Sequence, residues 1–282
     1  MNTEYAIKDG VLTHVSEVER GLKCSCVCPS CGANMIARKG NKMAHHFAHQ
    51  NAECSHGLET TLHLMAKEIL EQEKRILLPL VFLPLEYTNK LLTPECTMLE
   101  IDDVTIEKRL GDIIPDIIIK SGGKQLMVEI WVTHKIDDNK LRKIKELDIS
   151  TIEINLSKLD RMISMNELRE FLLKDEEHKF WVYNSLAEYY KQMWLSVCEV
   201  KPIFTRNYAV HVDDCPIRAR VWRGQPYANV TDDCSGCEYN ITIIRNRTNE
   251  EEDDDEFLYC SGRIKVKSVS ELKTYLSKAV KK

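Results

Sequence analysis

Ile114-Pro115-Asp116 and, after twelve intervening residues, Glu129 in Met127-Val128-Glu129-Ile130-Trp131 form the stretch on which the reading of this chain turns. Ile113 to Lys120 and Gln125 to Thr133 are rich in β-branched residues and are separated by Ser121-Gly122-Gly123, which predicts the two strands of a hairpin. An acid inside an otherwise apolar strand such as Leu126 to Val132 is costly to bury unless it is paired or bound to metal. Asp116 and Glu129, on adjacent antiparallel strands, are placed to share one Mg²⁺ ion. Such an ion lowers the pKa of a bound water and stabilises charge on a phosphodiester.

Outward from the hairpin, helical and strand patterns alternate. Glu59 to Lys74 carries Leu62, Met65, Ala66, Ile69 and Leu70 at helical spacing, which predicts an amphipathic helix. Leu77 to Tyr87 is apolar but interrupted by Pro79 and Pro84, so it is expected as an edge or irregular strand, and Met98 to Ile106 as a better one. Asp137 to Leu147 reads as a helix capped by Asp137 or Asp138, and Ser150 to Asn155 as a short strand. Asn166 to Lys174 and Lys179 to about Val197 are predicted as helices. The aromatic residues of the latter (Phe180, Trp181, Tyr183, Tyr189, Tyr190, Trp194) read as core or interface material rather than a nucleotide-stacking surface. The order is helix, about three strands, helix, strand.

Eleven cysteines fall mainly at the two ends of the 282-residue chain. Clusters with two-residue gaps point to metal rather than disulfides in a reducing compartment. Cys28-Pro29-Ser30-Cys31 is a zinc-knuckle half-site, completed by His49 and Cys54, with His46 as the alternative histidine. Cys24 and Cys26, on one face of a strand, are expected either to replace Cys28 or to be reduced surface thiols. Near the other end, Cys215, Cys234, Cys237 and Cys260 flank β-patterned segments at Arg218 to Trp222, Tyr239 to Arg245 and Phe257 to Cys260, the arrangement of a structural zinc-ribbon-like module.

Cys28-x2-Cys31, His46-Phe47-Ala48-His49, Glu59-x3-His63-x3-Lys67, Pro115-Asp116 and Glu129 occur in the order seen in competence protein CoiA-like proteins, and over about residues 20 to 160 the chain resembles that family. The resemblance implies a zinc-finger-like N-terminus joined to an α/β, restriction-endonuclease-like PD-(D/E)xK nuclease core. It also implies metal ligation by Asp116 and Glu129, with the main chain of Ile130 as a possible third ligand and Glu59 reaching the same sheet edge. The chain departs at the third motif position, where Trp131 stands in place of a lysine. Lys140 resembles the migrated lysine of some members of the superfamily, and His134 and Lys135 also lie close in sequence.

The expected organisation is an N-terminal zinc module over 1–57, a nuclease-like domain over 58–160, a helical extension over 161–200 and a C-terminal zinc module over 201–282. With 39 basic and 44 acidic residues the net charge is −5, an argument against a nucleic-acid partner were it not concentrated in seven consecutive acids, 250–256. Without that run the segment 201–282 holds 14 basic against 6 acidic residues, a balance suited to phosphate contacts. The run itself is expected as a DNA-mimicking or autoinhibitory loop. At 43% hydrophobic and 29% charged residues, with no apolar run long enough to span a bilayer, the composition excludes disordered, collagenous and membrane-embedded classes and sets a cytoplasmic expectation.

The functional expectation is a Mg²⁺- or Mn²⁺-dependent endodeoxyribonuclease with two structural Zn²⁺ sites, acting on foreign or incoming DNA in phage defence or competence. Its catalytic residues are expected to be Asp116, Glu129, Lys140, His134 and Glu59. A non-catalytic DNA-binding adaptor with a degenerate nuclease fold is the alternative, or a subunit active only with a protein partner of a larger defence complex.

Overall fold

The computed structural model describes residues 3–51, 54, 56–106, 108–159, 163–246 and 255–279. The chain is a mixed α/β protein with several sheets, divided into two compact units: 1–79 with 95–184, and 80–94 with 185–282.

The first unit opens on an antiparallel sheet of β1 (Tyr5–Lys8), β2 (Val11–His14), β3 (Gly21–Val27), β4 (Asn34–Arg38) and β5 (His46–His49), in the order β2-β1-β3-β4-β5. Its core is small. Ala6, Val15, Val18, Met35, Ala37 and Phe47 pack with Cys24, Cys26 and Cys28. Cys24 and Cys26 are therefore core thiols, neither surface groups nor a substitute ligand. Cys24 donates its S–H to Met35 O (3.3 Å) and Cys26 to Cys24 O (3.3 Å), satisfying weak donors inside an apolar layer. Phe47 is fully buried, and Phe47→Ala should cost ~3–5 kcal/mol of stability in a denaturant titration.

Helix α1 (Gly57–Glu73) buries Leu62, Met65, Ala66, Ile69 and Leu70, as its periodicity requires, and ends at Lys74 in a left-handed conformation. The Met98–Ile106 stretch is two strands, not one. β6 (Arg75–Leu78) pairs with β7 (Thr97–Glu100), and β8 (Asp103–Ile106) joins the main sheet after a break at Ile101-Asp102. That sheet runs β12-β11-β10-β9-β8, with β9 (Ile117–Ser121), β10 (Lys124–Trp131), β11 (Thr151–Asn155) and β12 (Lys179–Tyr183). β9 and β10 form the expected hairpin, turning at Gly122 (φ 53°) and Gly123 (φ 78°), where only glycine adopts the paired positive angles without cost.

β10 and β11 are parallel, joined through α2 (Asp138–Leu147); Asp137 caps α2 by accepting from Lys140 N at 2.7 Å. Alternation along β10 sends Leu126, Val128 and Ile130 into the core shared with α1 and with α3 (Met165–Lys174), while Met127 meets Ile144 of α2. Glu129, in phase with Met127, consequently lies on the α2 side.

The predicted helix from Lys179 begins instead as a strand, because Phe180-Trp181-Val182-Tyr183 is aromatic and β-branched and pairs antiparallel with β11. Lys179 is buried there, and its ammonium donates to Leu172 O at the end of α3 (2.8 Å). Burial pulls its pKa down to about 8.

In the second unit, α4 (Ser185–Val197) and α5 (Val269–Ala279) accompany two sheets. One is β13-β19-β18, from β13 (Glu199–Pro202), β18 (Asn240–Asn246) and β19 (Asp255–Cys260); the other is β14-β15-β17-β16, from β14 (Phe204–Arg206), β15 (Ala209–Asp213), β16 (Arg220–Trp222) and β17 (Gln225–Asn229). The excursion 80–94 joins this unit through Thr88 Oγ1, which donates to Ile241 O (2.6 Å), and Lys90 Nζ, which donates to Glu238 O (2.6 Å). Expected helical residues 161–200 are shared out: α3 and β12 belong to the first unit, α4 to the second. Of the acidic run, 250–254 lies outside the described residues, and Glu256 pairs with Arg245. Among the described residues no helix is long and apolar enough to cross a membrane.

Candidate functional site

Two constellations stand out in the first unit. At the end of the β3–β4 hairpin, Cys28 N donates to Ala33 O (2.8 Å) and Gly32 N to Cys28 O (2.9 Å), closing a tight knuckle that Gly32 enters at φ 69°. β5 then brings in His49, and the chain leading to α1 brings in Cys54. The ligand atoms of Cys28, Cys31, His49 and Cys54 all lie within 4.8 Å of one another, so this quartet could hold a metal such as zinc. Cys31 Sγ is 3.4 Å from His49 Nε2. Burial pushes the Cys28 thiol up to about 11 although the amides of Cys31 and Ser30 donate to it, so a thiolate there needs a cation. His46, the alternative ligand, is not part of the quartet. Its parity along β5 differs from that of His49, and its Nδ1 sits 2.8 Å from Ala44 O.

The second constellation lies where β9 begins beside β10. Ile117 is opposite Val128, a register that sets Asp116 next to Glu129. Ile130 N donates to Asp116 Oδ2 (2.7 Å), fixing that carboxylate. Glu129 is buried. Its Oε2 accepts from Lys140 Nζ at 2.6 Å, while its Oε1 has no hydrogen-bond partner. Burial first and the Asp116 charge second raise the Glu129 carboxyl to about 8, against the opposing pull of Lys140. The structure thus brings together Asp116, Glu129 and Lys140, the last from α2 rather than from β10, where Trp131 stacks near Lys135 (5.9 Å).

The other candidates sit elsewhere. His134 is exposed in the segment after β10. Glu59 lies 3.7 Å from His56 Nδ1, and Lys67 pairs with Glu71 (3.1 Å). One turn beyond Glu59, His63 is the α1 side chain that reaches the carboxylates, its Nε2 3.6 Å from Asp116 Oδ2, buried and without a hydrogen-bond partner. His63 stands in the quoted motif, yet its spacing alone did not separate it from Glu59. Glu153 was missed altogether. Buried on β11 and paired in register with Glu129, it accepts from Ile136 N (2.9 Å) and so ties down the segment that delivers α2 and Lys140. The detectable signal was the one that singled out Glu129: an acid in the middle of an apolar strand, Thr151-Ile152-Glu153-Ile154-Asn155.

These features define a mixed α/β protein with a Cys/His cluster able to hold a metal ion near its N-terminus. Residues 13–57, the segment that builds that cluster, match the family model described as competence protein CoiA, N-terminal domain. No curated protein and no solved structure matches the chain.

Proposed function

We propose that the chain is a Mg²⁺- or Mn²⁺-dependent nuclease that hydrolyses DNA phosphodiester bonds from a PD-(D/E)xK-like core, in the competence-related role that its CoiA N-terminal domain suggests, with phage defence as a second setting. The observation that carries this is Glu129 Oε1, a buried carboxylate oxygen without a hydrogen-bond partner beside a second carboxylate, Asp116. That donor set suits a hard divalent cation, which takes carboxylate oxygens in preference to the soft thiolates used at Cys28 and Cys31.

When bound, such an ion supplies Lewis acidity at a phosphoryl oxygen and an activated water. Asp116 and Glu129 would hold it, and the Ile130 amide keeps Asp116 from turning away. Lys140 holds a proton and a positive charge at Glu129 Oε2, the task that a strand lysine would perform in place of Trp131. Glu153 orients α2 through Ile136, and His63 backs Asp116 from α1. The test is digestion of plasmid and single-stranded DNA with Mg²⁺ or Mn²⁺ by the wild type and by variants at Asp116 and Glu129.

Trp131 favours a second reading, a DNA-binding adaptor that has lost its chemistry. It expects salt-sensitive binding without cleavage at any divalent-ion concentration. A chain that cuts only when expressed with a protein partner identifies a subunit of a larger complex.

Glu129 also sets a pH dependence in metal-free protein. Its folded pKa of about 8 lies above the ordinary carboxyl value, so the folded state holds a proton that the unfolded state has lost, and stability falls as pH rises toward 8. In chelator, the wild type should lose roughly 3 kcal/mol relative to Glu129→Gln between pH 5 and 8, measured by urea unfolding. Parallel curves for the two proteins would count against a protonated Glu129.

A further inference from the structure

Four thiols in the second unit converge on a single small cavity. Cys215 follows β15, Cys234 and Cys237 bracket the turn after β17, and Cys260 ends β19. Together they line a cavity of about 20 Å³ whose other walls are chiefly apolar, among them Val212, Ala228 and Leu258. That is the space of one small ion rather than of an organic ligand. Three of the four sulfurs belong to the buried core of this unit, where reduced cysteines would ordinarily pack as small apolar groups without a gap between them.

Each cysteine sits on or beside a hydrogen-bonded turn. Arg218 N donates to Cys215 O (3.0 Å), Cys237 N to Cys234 O (3.1 Å) and Asn240 N to Cys237 O (3.1 Å); Gly262 N donates to the Cys260 sulfur itself (3.4 Å). Gly262 allows two of these turns to meet: a Cβ there would lie 2.7 Å from Pro216 Cγ and 3.3 Å from Cys260 Sγ. Lys201, buried at the cavity wall, is held by Asp214 O (2.8 Å) and Glu199 (3.1 Å) and places a cation beside the sulfurs. Four thiolates around a divalent ion carry two net negative charges, which that ammonium offsets in part.

We propose that Cys215, Cys234, Cys237 and Cys260 bind a structural Zn²⁺ through four thiolates, a second metal centre distinct from the Cys28 quartet. The N-terminal ligand atoms already lie within 4.8 Å of one another; the C-terminal sulfurs share the walls of one cavity and would have to rotate toward its centre to surround an ion tetrahedrally. With four protein ligands the ion has no open position for water and is not catalytic. It joins the ends of β15 and β19, one strand from each sheet of the unit.

Metal analysis of the full chain purified without chelator tests this directly and should find two zinc ions per chain. Cys28→Ser with Cys31→Ser should leave one. Cobalt substituted into that variant should show the intense thiolate charge-transfer bands of a tetrahedral four-sulfur site. Cys234→Ser with Cys237→Ser should also leave one zinc, and Cys198→Ser two. Gly262→Ala keeps every ligand but should release the second zinc to a chelator at least tenfold faster. A wild-type zinc that is lost with Cys28→Ser/Cys31→Ser and leaves none behind, or zinc content unchanged in the Cys234/Cys237 variant, overturns the proposal. If that variant is insoluble, the Cys28/Cys31 variant decides: an absence of zinc, or a cobalt spectrum with nitrogen ligation, rejects the four-thiolate site.

Discussion

Asp116→Ala and Glu129→Ala are each expected to lower the rate of DNA cleavage by roughly 10³-fold, about 4 kcal/mol of transition-state stabilisation, while leaving DNA affinity within about threefold. Removing either carboxylate deletes half of a two-carboxylate site, and in Asp116→Ala the Ile130 amide also loses its acceptor. Lys140→Ala should cost less in rate, because it removes a charge and not a ligand, but it leaves Glu129 buried without its ion pair. Lys140→Arg separates the two effects, keeping the charge with a different reach. Equal cutting by wild type, Asp116→Ala and Glu129→Ala would reject the nuclease assignment. Cleavage absent from all three, with salt-sensitive binding intact, would favour the adaptor.

The second large effect is expected at the N-terminal quartet. A structural zinc in a small domain contributes an apparent ~10–16 kcal/mol to folding, and here the ion would be bound by a sheet whose own core is only nine buried residues, three of them cysteines. Stripping the metal, or replacing Cys31 with Ser, should lower the first melting transition by at least ~10 °C. It should also remove hydrogen-exchange protection from β3, β4 and β5. Cys54 stands three residues before α1 begins, so the loss should spread to the first turn of the helix that carries His63. A zinc-free chain that melts with the metal-loaded one would show that the quartet is not needed for the fold.

Both constellations are legible in the sequence because their chemistry is local along the chain. A knuckle of two cysteines with a histidine and a cysteine downstream leaves few partners to choose from. Likewise, two acids flanking a Gly-Gly hairpin are forced into near register by the turn itself. The choice between His46 and His49 was harder, since both have the right chemistry and only strand parity separates them. What stayed hidden depends on packing between distant elements. His63 and Glu59 share a stripe on α1, and which one meets Asp116 is set by the rotation of that helix on the sheet. Cys24 and Cys26 read either as substitutes for Cys28 or as surface thiols, but they fill the core. Phe180 to Tyr183 read as helix because an amphipathic helix follows it; pairing with β11 overrode that pattern.

Tyr5 gives the N-terminal sheet a different standing from that of a bead on a string. Its ring is buried with α1 residues in the main core of the first unit, and its hydroxyl accepts from Met165 N at the start of α3 (3.2 Å). A cut at residue 57 would therefore take away part of the larger core along with the metal cluster. The small sheet is not a portable part that can be traded between proteins at that seam, and an exchange that preserves the fold has to carry Tyr5 and its receiving surface on α1 and α3 together.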